Sequence, residues 1–203
     1  MTEGLRNVLE RSRSLGFLGP GPIDDHIDHA ARFCALVDGV PDSFVDLGSG
    51  GGIPGLIALS TWPGTTGVLL DAQARRCAFL RWAVDELGWS DRASVVEDRA
   101  ERAGRDATLR ERADLVLARS FGPPAVTAEC AAAFVRVGGR IAVSEPPSGS
   151  EERWPVDGLM LLGLDLEAIR VDDGVHMALL RKTAPLDDRY PRPIGVPGKR
   201  PLF

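Results

Sequence analysis

Five short apolar runs divide the chain: Ser43–Leu47, Gly67–Asp71, Ala93–Glu97, Asp114–Ala118 and Arg140–Ser144. Each is continuous rather than alternating, the pattern of strands buried on both faces. Helix-like segments separate them. Cys77, Leu80, Val84 and Leu87 recur at one helical face that ends at Gly88, and an Ala-rich stretch from Ala125 to Val135 stops before Gly138-Gly139. Strand and helix in alternation dictate a parallel sheet with right-handed crossovers. After Ser144 the order changes. Glu167–Val171 and Val175–Arg181 flank Asp172-Asp173-Gly174, the spacing of an antiparallel hairpin. The expected fold is therefore α/β, a doubly wound parallel sheet closed by a C-terminal antiparallel hairpin.

Three segments organise this chain of 203 residues. Residues 1–40 read as helical: Thr2–Ser14 as a short polar helix, a break at Gly19-Pro20-Gly21-Pro22, then a helix capped by Asp24 or Asp25 and running to Leu36. Residues 41–183 form the sheet domain, with 146–158 as a loop. Residues 184–203 form a basic tail with five prolines, expected to run extended on the same domain. No apolar run approaches the ~20 residues that span a membrane. Met1–Arg13 has no apolar signal core, and the three cysteines are odd in number and widely spaced, so a reducing cytoplasm is expected. A monomer is expected as well. The net charge of −5 argues against a general binder of naked nucleic acid. From Arg181 onward, however, six Lys/Arg face two Asp, which makes the tail the place for a polyanion to dock.

The chemistry concentrates in Asp46-Leu47-Gly48-Ser49-Gly50-Gly51-Gly52-Ile53-Pro54-Gly55, which leaves a strand and opens a helix. Missing side chains let a ligand approach backbone N–H groups at a helix start. Residues 50–55 fit the G-x-G-x-x-G dinucleotide fingerprint, with Asp71 about 20 residues on. Two features disfavour a diphosphate. Pro54 removes an N–H from the first helical turn, and Asp46 sets a carboxylate where phosphate would sit. Asp46 suits a ligand with an ammonium and no phosphates, such as S-adenosylmethionine. Asp71 can then accept from ribose hydroxyls.

These residues resemble the first motif of class I methyltransferases, whose sheet is Rossmann-like and seven-stranded. More narrowly, they are similar to the bacterial small-subunit ribosomal RNA guanine-N7 methyltransferase family, also called glucose-inhibited division protein B, whose loop runs D-x-G-(S/T)-G-x-G-x-P-G. Several other stretches match that family: His26-Ile27-Asp28 its R-H-I-x-D-S, Arg99-Ala100-Glu101 its R-(V/A)-E, Ala118-Arg119-Ser120-Phe121 its S-R-A-F, and Tyr190-Pro191-Arg192 through Leu202 its Y-P-R…G-x-P-x-K-x-P-L ending. The resemblance implies S-adenosylmethionine as cofactor and ribosomal RNA of the small subunit as partner. It also implies donor contacts from Gly48, Ile53, Ala100, Glu101 and Arg119, with Ser49, Gly50 and Gly52 completing the loop. One departure falls after the fifth strand, where Ser144-Glu145-Pro146-Pro147 stands in place of the family's Lys-Gly.

A guanine N7 carries no proton, so its methylation needs no general base, only in-line placement. No residue is therefore assigned as catalytic. Glu145 is the one carboxylate candidate for stabilising charge developing on the base. For the acceptor, Trp154 is the tryptophan placed to stack a base, and Arg119, Arg189, Arg192, Lys199 and Arg200 are candidate phosphate contacts. Asp25, His26, Asp28 and His29 have a metal-like composition but read as a polar helix start, and no metal is assigned. Two alternatives stay open: a methyltransferase of the same fold acting on a small molecule or protein, and a silent donor-binding module.

Overall fold

The computed structural model describes residues 2–203. Seven strands form one sheet in the order β3-β2-β1-β4-β5-β7-β6, with β1 Ser43–Leu47, β2 Thr66–Asp71, β3 Ala93–Glu97, β4 Ala113–Ala118, β5 Val135–Glu145, β6 Leu164–Asp172 and β7 Val175–Lys182. β1 to β5 pair in parallel, and β7 enters antiparallel between β5 and β6. The chain winds outward from β1 to β3, then returns to place β4 on the other side of β1. Ligands of open α/β sheets bind at this switch point, beyond the strands' C-terminal ends.

Period-two alternation sorts the strand side chains between two helical layers. Phe44, Leu69, Leu115, Leu117, Ala142 and Met177 face α1 (Glu3–Ser14), α2 (Ile23–Ala35), α3 (Gly55–Thr61) and α4 (Ala74–Glu86). Val45, Leu47, Leu70, Val116, Ile141 and Val143 face α5 (Ala100–Ala103), α6 (Pro124–Ala132) and α7 (Val156–Met160). The same alternation points Asp46 and Arg119 to the first layer and Glu145 to the second.

Several boundaries differ from the sequence reading. The Ala-rich helix ends at Ala132, because Phe134 and Val135 already turn into β5 and the strand carries Gly138-Gly139 within it. There an added Cβ on Gly139 would lie 2.7 Å from the Asp114 carbonyl of β4. Residues 146–158 contain a 3₁₀ turn, Glu151–Arg153, and the start of α7. The tail is not wholly extended, since Val196–Lys199 forms α8 with Pro197 in its first turn. α1 is polar only outward; Leu5, Val8, Leu9 and Ser12 are buried.

Candidate functional site

The glycine loop is held from beneath by two strand-end carboxylates. Asp46, fully buried, accepts the Gly55 N–H through Oδ2 at 2.9 Å. Gly55 admits this approach because any Cβ would collide with that oxygen and with Leu69. Pro54 sits just ahead of α3 rather than inside it. Asp71, at the end of β2, accepts Gly50 N–H at 2.9 Å and Gln73 N–H at 2.8 Å, with Arg76 at 3.7 Å. Ser49 donates its hydroxyl to the Asp46 carbonyl at 3.0 Å. Gly52 and Ile53 turn inward, Ile53 into the core beside Leu56.

The loop is also held from outside. Ser12 of α1 donates to the Gly51 carbonyl at 2.8 Å. A Cβ at Gly51 would lie 2.6 Å from that hydroxyl and 2.7 Å from the Phe17 carbonyl, so α1 can close on the loop only over a glycine.

Beyond the strand ends, a cleft of about 150 Å³ opens on the second helical layer. It brings together Gly48, Asp71, Ala100 and Glu101, and adds Asp98, Phe121, Val126 and Cys130. Phe121 lies against Gly48, where a Cβ would sit 2.8 Å from its ring. Its signal was present in sequence, since Phe121 closes the stretch that contains Arg119. Burial pushes Glu101 up, but Arg99 and the Gly195 N–H, at 3.0 Å each, outweigh it and hold the carboxyl below its usual range. Burial also raises the Cys130 thiol to about 12, which leaves it a neutral, apolar wall.

Asp46 and Arg119 lie outside this cleft, on the first-layer side of the same edge. Asp46 Oδ1 is buried with no hydrogen-bond partner among the described residues. Burial, opposed by Ser49 and Gly55, lifts this carboxyl to about 7. Burial lowers the Arg119 guanidinium while the Asp46 charge raises it, and no carboxylate pairs with it among the described residues. His29 of α2 faces Arg119; burial and that cation lower its pKa, and its Nδ1 has no partner.

The expected acceptor contacts fare differently. Trp154 is 1% exposed in the second-layer core, so its ring has no face to offer a base. Glu145 is not a solvated loop acid: its side chain is 2% exposed, ion-paired with Arg153 and covered by Gly149. Arg192 is not free for phosphate. It binds the buried Glu129 carboxylate through Nη2 at 2.6 Å and through its own backbone N–H at 2.7 Å. Arg189 pairs with Asp187 at 3.1 Å, whereas Lys199 and Arg200 remain exposed. The tail is tied down by Arg105, which donates to the carbonyls of Arg189 and Pro191 at 3.0 and 2.7 Å. Of the helix-start cluster, His26 contacts the Gly19 carbonyl at 3.1 Å; beside it, Asp24 pairs with Arg6.

This arrangement fits S-adenosylmethionine and not a diphosphate. A buried carboxylate oxygen without a partner asks for a cation, and Asp71 and Asp98 would repel phosphates. The model of the rRNA small subunit methyltransferase G family matches residues 22–150, which include the loop, Ala100-Glu101 and Arg119. The chain belongs to that family. It is accordingly an S-adenosylmethionine-dependent methyltransferase. It is 34% identical over 165 residues to a ribosomal RNA small subunit methyltransferase G of Parasynechococcus marenigrum, covering 78% of this chain and 66% of that one. It is 37% identical to the protein of that name from Symbiobacterium thermophilum, covering 78% and 69%. The chain thus spans about two thirds of the length of these relatives. A putative O-methyltransferase from Klebsiella pneumoniae shares the fold, with a TM-score of 0.60 at 16% identity over 91% of both chains. The seven-stranded Rossmann-like class I architecture is the one the family resemblance implied.

Proposed function

We propose that this family member methylates N7 of a guanine in small-subunit ribosomal RNA. The observation that carries the reading is the family match, which runs unbroken through every element of the donor site. When bound, S-adenosylmethionine supplies a methyl on a sulfonium that an aromatic lone pair can attack directly. The chain's own residues then have three tasks. Asp46, whose Oδ1 has no partner among the described residues, would hold the donor's ammonium. Asp71 would accept from the ribose through lone pairs its two backbone donors leave free, and Gly48, Ala100, Glu101 and Phe121 would border the adenine. Arg119, just past the end of β4 and unpaired among the described residues, would hold the donor's carboxylate. N7 has no proton to lose, so no side chain need act as base, and placement with exclusion of water does the catalysis. Because N7 faces the major groove, the base enters from a loop or flipped out of its stack.

The test is methyl transfer from labelled donor to small ribosomal subunits of cells lacking the gene, followed by mass mapping of the modified nucleotide. A single 7-methylguanine in the small-subunit RNA is the expected product. Calorimetric donor binding without incorporation into RNA would overturn the substrate.

A further inference from the structure

An acidic chain that acts on RNA must gather its positive charge locally, so the arginines left without a counter-ion are informative. On the first-layer surface most are spent: Arg6 on Asp24, Arg13 on Glu10, Arg76 on Asp71 and Arg81 on Glu97. Arg11 of α1 and Arg75 of α4 are exposed, and neither pairs with a carboxylate among the described residues. Each instead lies over an aromatic ring, Arg11 at 3.9 Å from the centre of Trp82 and Arg75 at 5.6 Å from that of Phe17. The rings form a continuous strip, Phe17 to Phe79 at 5.7 Å and Phe79 to Trp82 at 5.8 Å. With Ala78 they line a groove of about 250 Å³ between the two helices.

The groove lies next to the glycine loop. α4 begins three residues after Asp71, which holds Gly50, and the Phe17 carbonyl packs on Gly51. Guanidinium planes and aromatic faces stack on unpaired bases of any sequence, while the free charges meet phosphates. In the tail, by contrast, Arg192 is committed to Glu129 of α6 and Arg189 to Asp187, while Lys199 and Arg200 stay exposed.

We propose that the α1–α4 groove docks a single-stranded segment of the RNA substrate, with phosphates on Arg11 and Arg75 and a base stacked on the guanidinium planes that Trp82 and Phe17 back. This rests on the RNA reading above and names the surface that reading needs. The groove supplies affinity, and the choice of nucleotide stays with the switch point.

The probe is a fluorescein-labelled single-stranded RNA oligomer of mixed sequence, titrated by anisotropy across a salt series, with donor binding and melting followed in parallel. The double variant Arg11→Glu/Arg75→Glu should weaken RNA binding at least about 10-fold and flatten the log–log salt slope by about 1.4, two contacts' worth. It should raise KM for small subunits and leave the calorimetric donor affinity alone. Because Arg11 also packs on Trp82, Ala78→Glu serves as a second variant that removes no contact and should shift binding the same way. Arg112→Glu, an exposed arginine on the opposite edge of the sheet, should change nothing. Folded Ala78→Glu and double variants with wild-type RNA affinity, slope and KM would overturn the groove. Wild-type protein that binds the oligomer through this groove yet methylates no small-subunit RNA would overturn the substrate instead, and leave the groove assigned.

Discussion

Asp46, one residue from the end of β1, and Glu145, the last residue of β5, are carboxylates with buried side chains at the C-terminal edge of the sheet, yet the fold completes one and not the other. Glu145 faces the second layer, where Arg153 neutralises it and the 146–149 turn covers it. Asp46 faces the first layer, where a backbone N–H occupies one oxygen and nothing occupies the second. A buried acid whose partner is supplied by the chain is part of the scaffold. One whose partner is missing is waiting for a ligand. Both groups are pushed up by burial, so a raised pKa does not separate them; the orphaned oxygen does.

That contrast can be broken in three places. Gly55→Ala should have the largest effect. Its methyl must displace the Asp46 carboxylate or Leu69, costing on the order of 3 kcal/mol and abolishing donor binding, read by thermal melting and calorimetry. A variant that binds the donor normally would show that Asp46 is not held by this contact.

Asp46→Asn should bind the donor about 10-fold more weakly while its melting temperature rises near neutral pH. The sign follows from the raised pKa. Between the ordinary 3.8 and about 7 the folded state keeps a proton that the unfolded chain has lost, so this group makes stability fall as pH rises across that window and adds no further slope above it. The difference between the wild-type and Asp46→Asn melting curves against pH isolates this term. Wild-type donor affinity should tighten over the same window, since the ammonium favours the ionised carboxylate, and the variant should be flat. A wild-type profile as flat as the variant's would place the ammonium elsewhere.

Glu145→Gln should matter least. Burial raises this carboxyl too, so the neutral isostere should leave stability within about 1 kcal/mol of wild type and kcat within about twofold. A kcat loss of 100-fold in a variant that melts normally would return Glu145 to the reaction.

The architecture was legible because its signals are local. Continuous apolar runs, one helical stripe and Asp172-Asp173-Gly174 specify strands, crossovers and hairpin without reference to anything distant. The loop residues were legible for the same reason. What sequence could not show was which way strand-end side chains point. Glu145 and Ser144 differ by one residue, and one residue is the whole distance between the two faces of a sheet. Trp154 read as a loop residue, but a two-ring apolar side chain beside α7 is drawn into the core wherever one is within reach. The tail's arginines read as free charge because Glu129 lies 63 positions from Arg192, a separation that no spacing rule spans.

The seat of α1 on Gly51 carries a consequence for motion. A loop gripped on one side by strand-end acids and on the other by Ser12 cannot loosen unless that helix lifts, so helix undocking and donor release draw on the same free energy. Amide hydrogens of residues 5–12 should then exchange more slowly when the methyl donor is present, although none of them touches it. The first helix is in this sense a latch whose closure the ligand reports.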